Sequence, residues 1–156
     1  MTVATLTLLS PLGPLTVTET EGAITALCWG ARATPDAQDD TPLLRDAAQQ
    51  IAAYFRKDLT RFDLPLRVAA SDTQTRVCSA MSAIPLGETL TYGDIARALS
   101  LPAQAVGQAC GGNPVPLIIP CHRVLGASGL GGFSGDGGVE TKVWLLRHEG
   151  AAGLLI

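Results

Sequence analysis

Apolar and polar positions partly alternate over residues 2–9, Thr2-Val3-Ala4-Thr5-Leu6-Thr7-Leu8-Leu9, and their Thr, Val and Leu content fits a strand. Ser10-Pro11-Leu12-Gly13-Pro14 is turn chemistry. Leu15 to Thr20 alternates again, Glu21-Gly22 turns, and Ala23 to Trp29 reads as a third strand. This predicts a small antiparallel meander. Ala31 to Asp40 reads as a polar loop. Thr41-Pro42 then supplies an N-cap and a proline at the first helical position. Leu44, Ala47, Ala48, Ile51, Ala52 and Phe55 recur at helical spacing to about Lys57. This first lobe is sheet plus helix and offers no chemistry of its own.

Leu59 to Ala70 has no period and reads as an irregular linker, which divides the chain into domains 1–70 and 71–156. The second part is mostly helical. Ser71 to Ala83 reads as a helix that stops at Ile84-Pro85-Leu86-Gly87. Thr91 caps a helix over Tyr92 to Leu99, and Pro102 opens another to about Cys110, stopped by Gly111-Gly112. Two short helices across a tight turn make a helix-turn-helix candidate. Ala103, Ala105, Gly107 and Ala109 leave the second of them nearly bare, so it packs closely against something, either another helix or a nucleic-acid backbone. Gly126 to Gly138 is a glycine-rich loop. Val139 to Glu149 forms a last helix, with Gly150 suited to its stop.

Composition changes this picture in three places. The apolar fraction of 47% supports a real core, and with aromatics at 4% that core must be filled by Leu, Ala, Val and Ile. Net charge is −3 and neither half is basic, which by itself speaks against a nucleic-acid binder. No stretch has the length of a membrane span, and Met1-Thr2-Val3-Ala4 does not begin a secretion signal. A cytoplasmic monomer with no membrane contact is expected. Four cysteines (Cys28, Cys78, Cys110, Cys121) include no CxxC pair and no ligand cluster with the two histidines, so neither a metal site nor a disulfide framework is expected. Cys28, Cys78 and Cys110 read as small buried hydrophobes.

Cys121 is different. It follows the apolar run Val115-Pro116-Leu117-Ile118-Ile119, a buried strand or extended segment, and Pro120, which stiffens the approach. His122 and Arg123 come directly after it. Such surroundings favour thiolate, the nucleophilic form of cysteine. A pKa two units below that of a free thiol means favouring the anion by about 2.7 kcal/mol. Glu149 falls in the last turn of a helix, where the macrodipole disfavours an anion by about 0.3–1 kcal/mol, a placement often tolerated for function.

Asn113-Pro114-Val115-Pro116-Leu117-Ile118-Ile119-Pro120-Cys121-His122-Arg123-Val124 resembles the signature of the O6-alkylguanine-DNA alkyltransferases, or methylated-DNA–protein-cysteine methyltransferases. The resemblance runs from about Ser71 to Gly150. It includes Thr91-Tyr92-Gly93, Ala105-Val106-Gly107, the Gly-Phe-Ser-Gly loop at 132–135, and Leu145-Leu146-Arg147-His148-Glu149-Gly150. The first lobe is similar to the family's N-terminal domain through Ser10 to Leu15 only. The resemblance implies a ribonuclease H-like α/β lobe followed by a winged helix-turn-helix-like domain.

It also implies roles. Cys121 would take the alkyl group, His122 would be its general base through a water, and Glu149 would orient that histidine, a triad with sulfur in place of oxygen. Tyr92 would donate a hydrogen bond to the base, and Asn113 would tie the helix-turn-helix to the active-site segment. The DNA-binding set would be Thr91, Gln104, Ala105, Gly107, Arg123 and Ser134, with Arg123 also in ion pairs within the site. The partner would be double-stranded DNA carrying an alkylated guanine, met from the minor groove with the base flipped out at a cost of a few kcal/mol. The thioether product is permanent, so each molecule would act once, without a cofactor.

Three departures stand out. Gln104 occupies the place of the family's arginine that fills the gap in the base stack. Thr73-Gln74 and Val77-Cys78 replace Phe-Gln and Val-Trp, and Phe133 stands where many members have tyrosine. Two competing readings remain: a protein that recognises alkylated DNA without transferring the group, and an unrelated Cys-His hydrolase or redox thiol. Cys121 speaks against the first, and the adjacency of Cys and His against the second.

Overall fold

Gly13 at φ +95° and Gly22 at φ +82° make the two tight reversals that a side chain would strain, and they turn the start of the chain into a meander. The computed structural model describes residues 2–30, 38–126 and 138–151. Strands β1 (Val3–Ser10), β2 (Gly13–Thr20) and β3 (Ala23–Trp29) pair antiparallel in the order β1-β2-β3. Helix α1 (Pro42–Phe55) starts where Thr41 accepts a hydrogen bond from the Leu44 N–H at 3.0 Å. Leu44, Ala47 and Ile51 are buried as the spacing predicts. Tyr54 rather than Phe55 takes the next inward position, stacked on Phe62 at 5.6 Å.

The stretch expected to be an irregular linker is corrected in part. Ile24 N–H donates to the Pro65 carbonyl at 2.7 Å and Arg67 N–H to the Ile24 carbonyl at 3.0 Å, so this segment covers the free edge of β3. An open edge would leave a row of unpaired backbone groups, and even a proline can accept there. The chain separates into two compact units, Met1–Arg67 and Val68–Ile156.

In the second unit, Ser71 caps α2 (Asp72–Ser82), and Thr91 and Asp94 form a reciprocal capping box on α3 (Tyr92–Leu99). Left-handed Ser100 ends α3, and α4 (Ala103–Gly111) begins after Pro102, giving the helix-turn-helix pair. Helix α2 is tied to α4 by the Gln74 amide, which donates to the Ala109 carbonyl at 2.6 Å. Helix α5 (Val139–His148) ends on Glu149 and Gly150. An α/β lobe followed by a mostly helical unit is the fold class that the sequence predicts.

Two features went unforeseen. Leu90–Thr91 (β4) pairs parallel with Val124–Leu125 (β5), and Cys121–Arg123 forms a single 3-10 turn between Pro120 and β5. Because β4 runs straight into α3, this pairing brings Thr91 and Tyr92 beside the Cys121 segment.

Candidate functional site

The run before Cys121 is buried as expected, but it is no strand. Leu117 has φ +74°, and the Ile119 N–H returns to the Val115 carbonyl at 2.9 Å, so the segment is a tight turn. Such a φ is strained for a leucine and persists only where the surroundings hold it. Asn113 does the holding. Its amide nitrogen donates to the Ile119 carbonyl at 2.9 Å, and its carbonyl oxygen accepts from the Val115 N–H at 3.0 Å. The Cys121 N–H donates to the same Ile119 carbonyl at 2.8 Å. Asn113 follows the end of α4 directly, so one buried amide joins the helix-turn-helix pair to the cysteine turn.

A chain of buried polar groups lies behind the cysteine. The His122 ring is fully buried, with Nε2 2.6 Å from Glu149 Oε2. Arg123 forks onto the same carboxylate, Nε to Oε1 at 2.8 Å and Nη2 to Oε2 at 3.1 Å, and its Nη1 donates to the Ile84 carbonyl at 2.6 Å. Burial opposes the charge on Glu149, but the bonds from His122 and Arg123 outweigh it and hold the carboxyl down to about 2. Burial also holds His122 below the ordinary imidazole value, against the pull of Glu149, so its resting form is neutral. An ionised carboxylate only accepts, so Nε2 carries the ring hydrogen and Nδ1 keeps a bare lone pair. Nδ1 is buried and has no hydrogen-bond partner among the described residues.

Two expectations need correction. Cys121 is only 4% exposed, and burial pushes its thiol up to about 11, although the Asn113 amide and the Lys142 ammonium favour the anion. The resting nucleophile is a thiol and not a thiolate, because a dry site penalises an isolated charge more than these neighbours repay. Arg123, expected both to meet DNA and to make ion pairs within the site, is 7% exposed and spends Nε, Nη1 and Nη2 inside the protein, so the ion pairs hold and the DNA contact does not follow. It serves the Glu149 carboxylate.

The remaining candidates sit on or beside the helix-turn-helix pair. Thr91 is half-buried, and its hydroxyl oxygen accepts from the Asp94 N–H at 3.0 Å in the α3 cap. Tyr92 is half-buried, with Lys142 Nζ 5.9 Å from its ring centroid. Gln104 is exposed on α4, and Ala105 and Gly107 are half-buried there. A Cβ built on Gly107 or Gly111 meets nothing within 4 Å. Helix α4 packs against both α2 and α3, as the first of its two sequence readings has it, and leaves open space at these two glycines. Ser134 and Phe133 lie outside the described residues.

Lys142 is the residue that sequence reading missed. It is fully buried on α5, donates to the Val124 carbonyl at 2.6 Å and stands over Tyr92. Burial lowers its ammonium to about 8, with Cys121 and Cys110 pulling the other way. The signal was present: Lys142, Leu145, Leu146 and Glu149 fall at i, i+3, i+4 and i+7, one face of a helix with a charge at each end. No group of three or more His, Cys, Asp or Glu that could hold a metal occurs among the described residues, and no helix there is long and apolar enough to cross a membrane.

Comparison with known proteins covers both units. Residues 72–151 match the 6-O-methylguanine DNA methyltransferase DNA-binding domain, and residues 5–68 match the ribonuclease-like domain of the same proteins. The chain is 42% identical over 147 residues to a methylated-DNA–protein-cysteine methyltransferase of Mycobacterium tuberculosis H37Rv, covering 90% of this chain and 88% of that protein. It is 38% identical to the constitutive enzyme of that name from Bacillus subtilis 168, with 90% and 91% covered. A crystal structure of Mycobacterium tuberculosis OGT in complex with DNA superposes with a TM-score of 0.81 at 40% identity, covering 95% of this chain and 92% of that one.

Proposed function

We infer, since this chain belongs to the 6-O-methylguanine DNA methyltransferase family, that it repairs alkylated DNA by moving the alkyl group from guanine O6 onto Cys121. The observation that carries this reading is the buried relay: a neutral His122 whose Nε2 is fixed by Glu149 and whose Nδ1 lone pair is left unpartnered beside the cysteine in sequence. Such a lone pair can take the thiol proton through one water as sulfur attacks the alkyl carbon. The thiolate then forms in place, opposite an imidazolium that Glu149 stabilises. Sulfur gains the carbon, the C–O bond breaks, and the electron pair leaves on the guanine. Tyr92 supplies a proton or hydrogen bond to that leaving base, and Lys142 lies next to it.

The thioether is not cleavable by these groups, so each molecule reacts once, and no cofactor takes part. The substrate base enters flipped from the minor-groove side, with α4 against the duplex and Gln104 at the gap in the stack. Glutamine brings less stacking area there than arginine and no charge. Alkylthymine would enter the same site with its O4 in place of guanine O6.

Mass spectrometry after incubation with a duplex containing O6-methylguanine tests the reading. One added methyl per chain, absent in Cys121→Ala, is expected. Binding of the lesion with no mass change would instead support recognition without transfer.

A further inference from the structure

We propose that this protein grips its duplex by short-range contact through the uncharged outer face of α4, and not by neutralising phosphates, so that its affinity depends weakly on salt. The inference rests on the DNA-repair reading above. Its ground is where the cations of the second unit go. Residues 68–156 contain five: Arg76, Arg97, Arg123, Lys142 and Arg147. Arg123 and Lys142 are buried and bonded to Glu149, Ile84 and Val124. Three remain outside. Arg97 is bridged to Asp94, and Arg76 donates to the Leu99 carbonyl at 2.6 Å at the end of α3.

Among the described residues of this unit, Asp72, Glu88, Asp94 and Glu140 stand against these three, with Glu149 the acid inside the cluster. Outside that cluster the DNA-binding unit is therefore net acidic. Helix α4 itself carries no charge. Its exposed positions include Ala103, Gln104, Gln108 and Gly111, and a Cβ built on Gly107 or Gly111 meets nothing within 4 Å. The first unit does not reverse the balance, with six basic residues against eight acidic.

Each phosphate neutralised steepens the plot of log K against log salt by about 0.9. The three outer cations of the second unit thus allow it a slope of at most about −2.7, a loss of at most about 40-fold between 50 and 200 mM salt. A protein with six to ten phosphate contacts loses about 10³–10⁵ over that range. What is left for binding is close approach of the bare helix and the two glutamine amides, which offer donors and acceptors to base edges in the minor groove. Sequence-independent binding is almost wholly electrostatic, so intact duplex should be held poorly.

Fluorescence anisotropy of the full chain as Cys121→Ser, which blocks transfer, measures this on a duplex with one O6-methylguanine across about 50–200 mM salt. The expected slope is shallower than about −2.7, and Gln104→Arg steepens it by about 0.9. A slope beyond about −2.7 overturns the inference, as does an unchanged slope in Gln104→Arg. The unsubstituted protein, assayed in parallel for methyl gain, separates the two claims. Transfer with a steep slope removes only this inference, whereas neither binding nor transfer removes the proposed function with it.

Discussion

Glu149 is an anion at a helix C-terminus, and the residues around it explain how it is kept there. Arg123 meets both carboxylate oxygens and His122 one of them, all buried. Changing Glu149→Gln keeps the shape but leaves a guanidinium buried without its counter-charge. Breaking a buried pair from one side costs about 3–5 kcal/mol, which urea unfolding at neutral pH should read. The pH dependence follows from the carboxyl lying near 2 in the fold against 4.5 ordinarily. As pH falls below about 4.5 the unfolded chain takes the proton first, so this stabilisation is whole above that value and is lost on the way to 2. The gap between wild type and Glu149→Gln should therefore close in acid; a gap that stays constant to pH 2 would contradict the assignment. The misplaced charge of Glu149 was legible in the sequence. The helical spacing places Lys142 on the same face, but a lone lysine on an apolar stripe also reads as a side chain that snorkels to water, so the spacing alone does not fix its burial. Nor was the raised thiol legible: two favourable neighbours, His122 and Arg123, could be read from the chain, but how strongly the dry site opposes charge could not.

Elements with a long period or a cap could be read from the chain, and those held only by tertiary contact could not. Helices α1 to α5 announce themselves through Thr41, Ser71, Thr91, Pro102 and Gly150. The parallel pair β4–β5 is two residues long on each side, too short to show alternation. The Val115–Ile119 turn is set by Asn113 and not by its own apolar residues, which suit a strand equally well. Helix α4 is where an element-scale test is sharpest, because its glycines have two separable consequences. Gly107 is in mid-helix with open space at its Cβ. Gly107→Ala should therefore stabilise the protein by about 1 kcal/mol through backbone entropy and helix propensity. The same methyl would stand off a duplex that the bare face meets closely. Thermal melting should rise while transfer from methylated duplex slows and reaction with the free alkylated base is unchanged. Slower reaction with the free base as well would place Gly107 in the fold of the active site and not at the DNA.

At the scale of the whole molecule, the product state follows from packing. Composition predicted a core without many aromatics, and in the second unit that core closes directly onto the nucleophile. Cys121 is 4% exposed, between Ile119 at 1% and His122 at 0%. The resting sulfur is a thiol, so alkylation removes no charge and any cost of it is steric. One extra methyl in a filled interior pushes side chains off their rotamers and typically costs about 1–3 kcal/mol. For a unit of this size each kcal/mol lowers the melting temperature by about 4–8 °C. Calorimetry of protein fully reacted with methylated duplex, stripped of DNA, should thus show a melting temperature lower by several degrees. Hydrogen exchange should place the loss in Val68–Ile156 and leave Met1–Arg67 unchanged. Identical melting curves at complete methylation would mean that the cysteine turn has room to spare, and that the packing around Leu117 and Ile119 yields more easily than its burial implies.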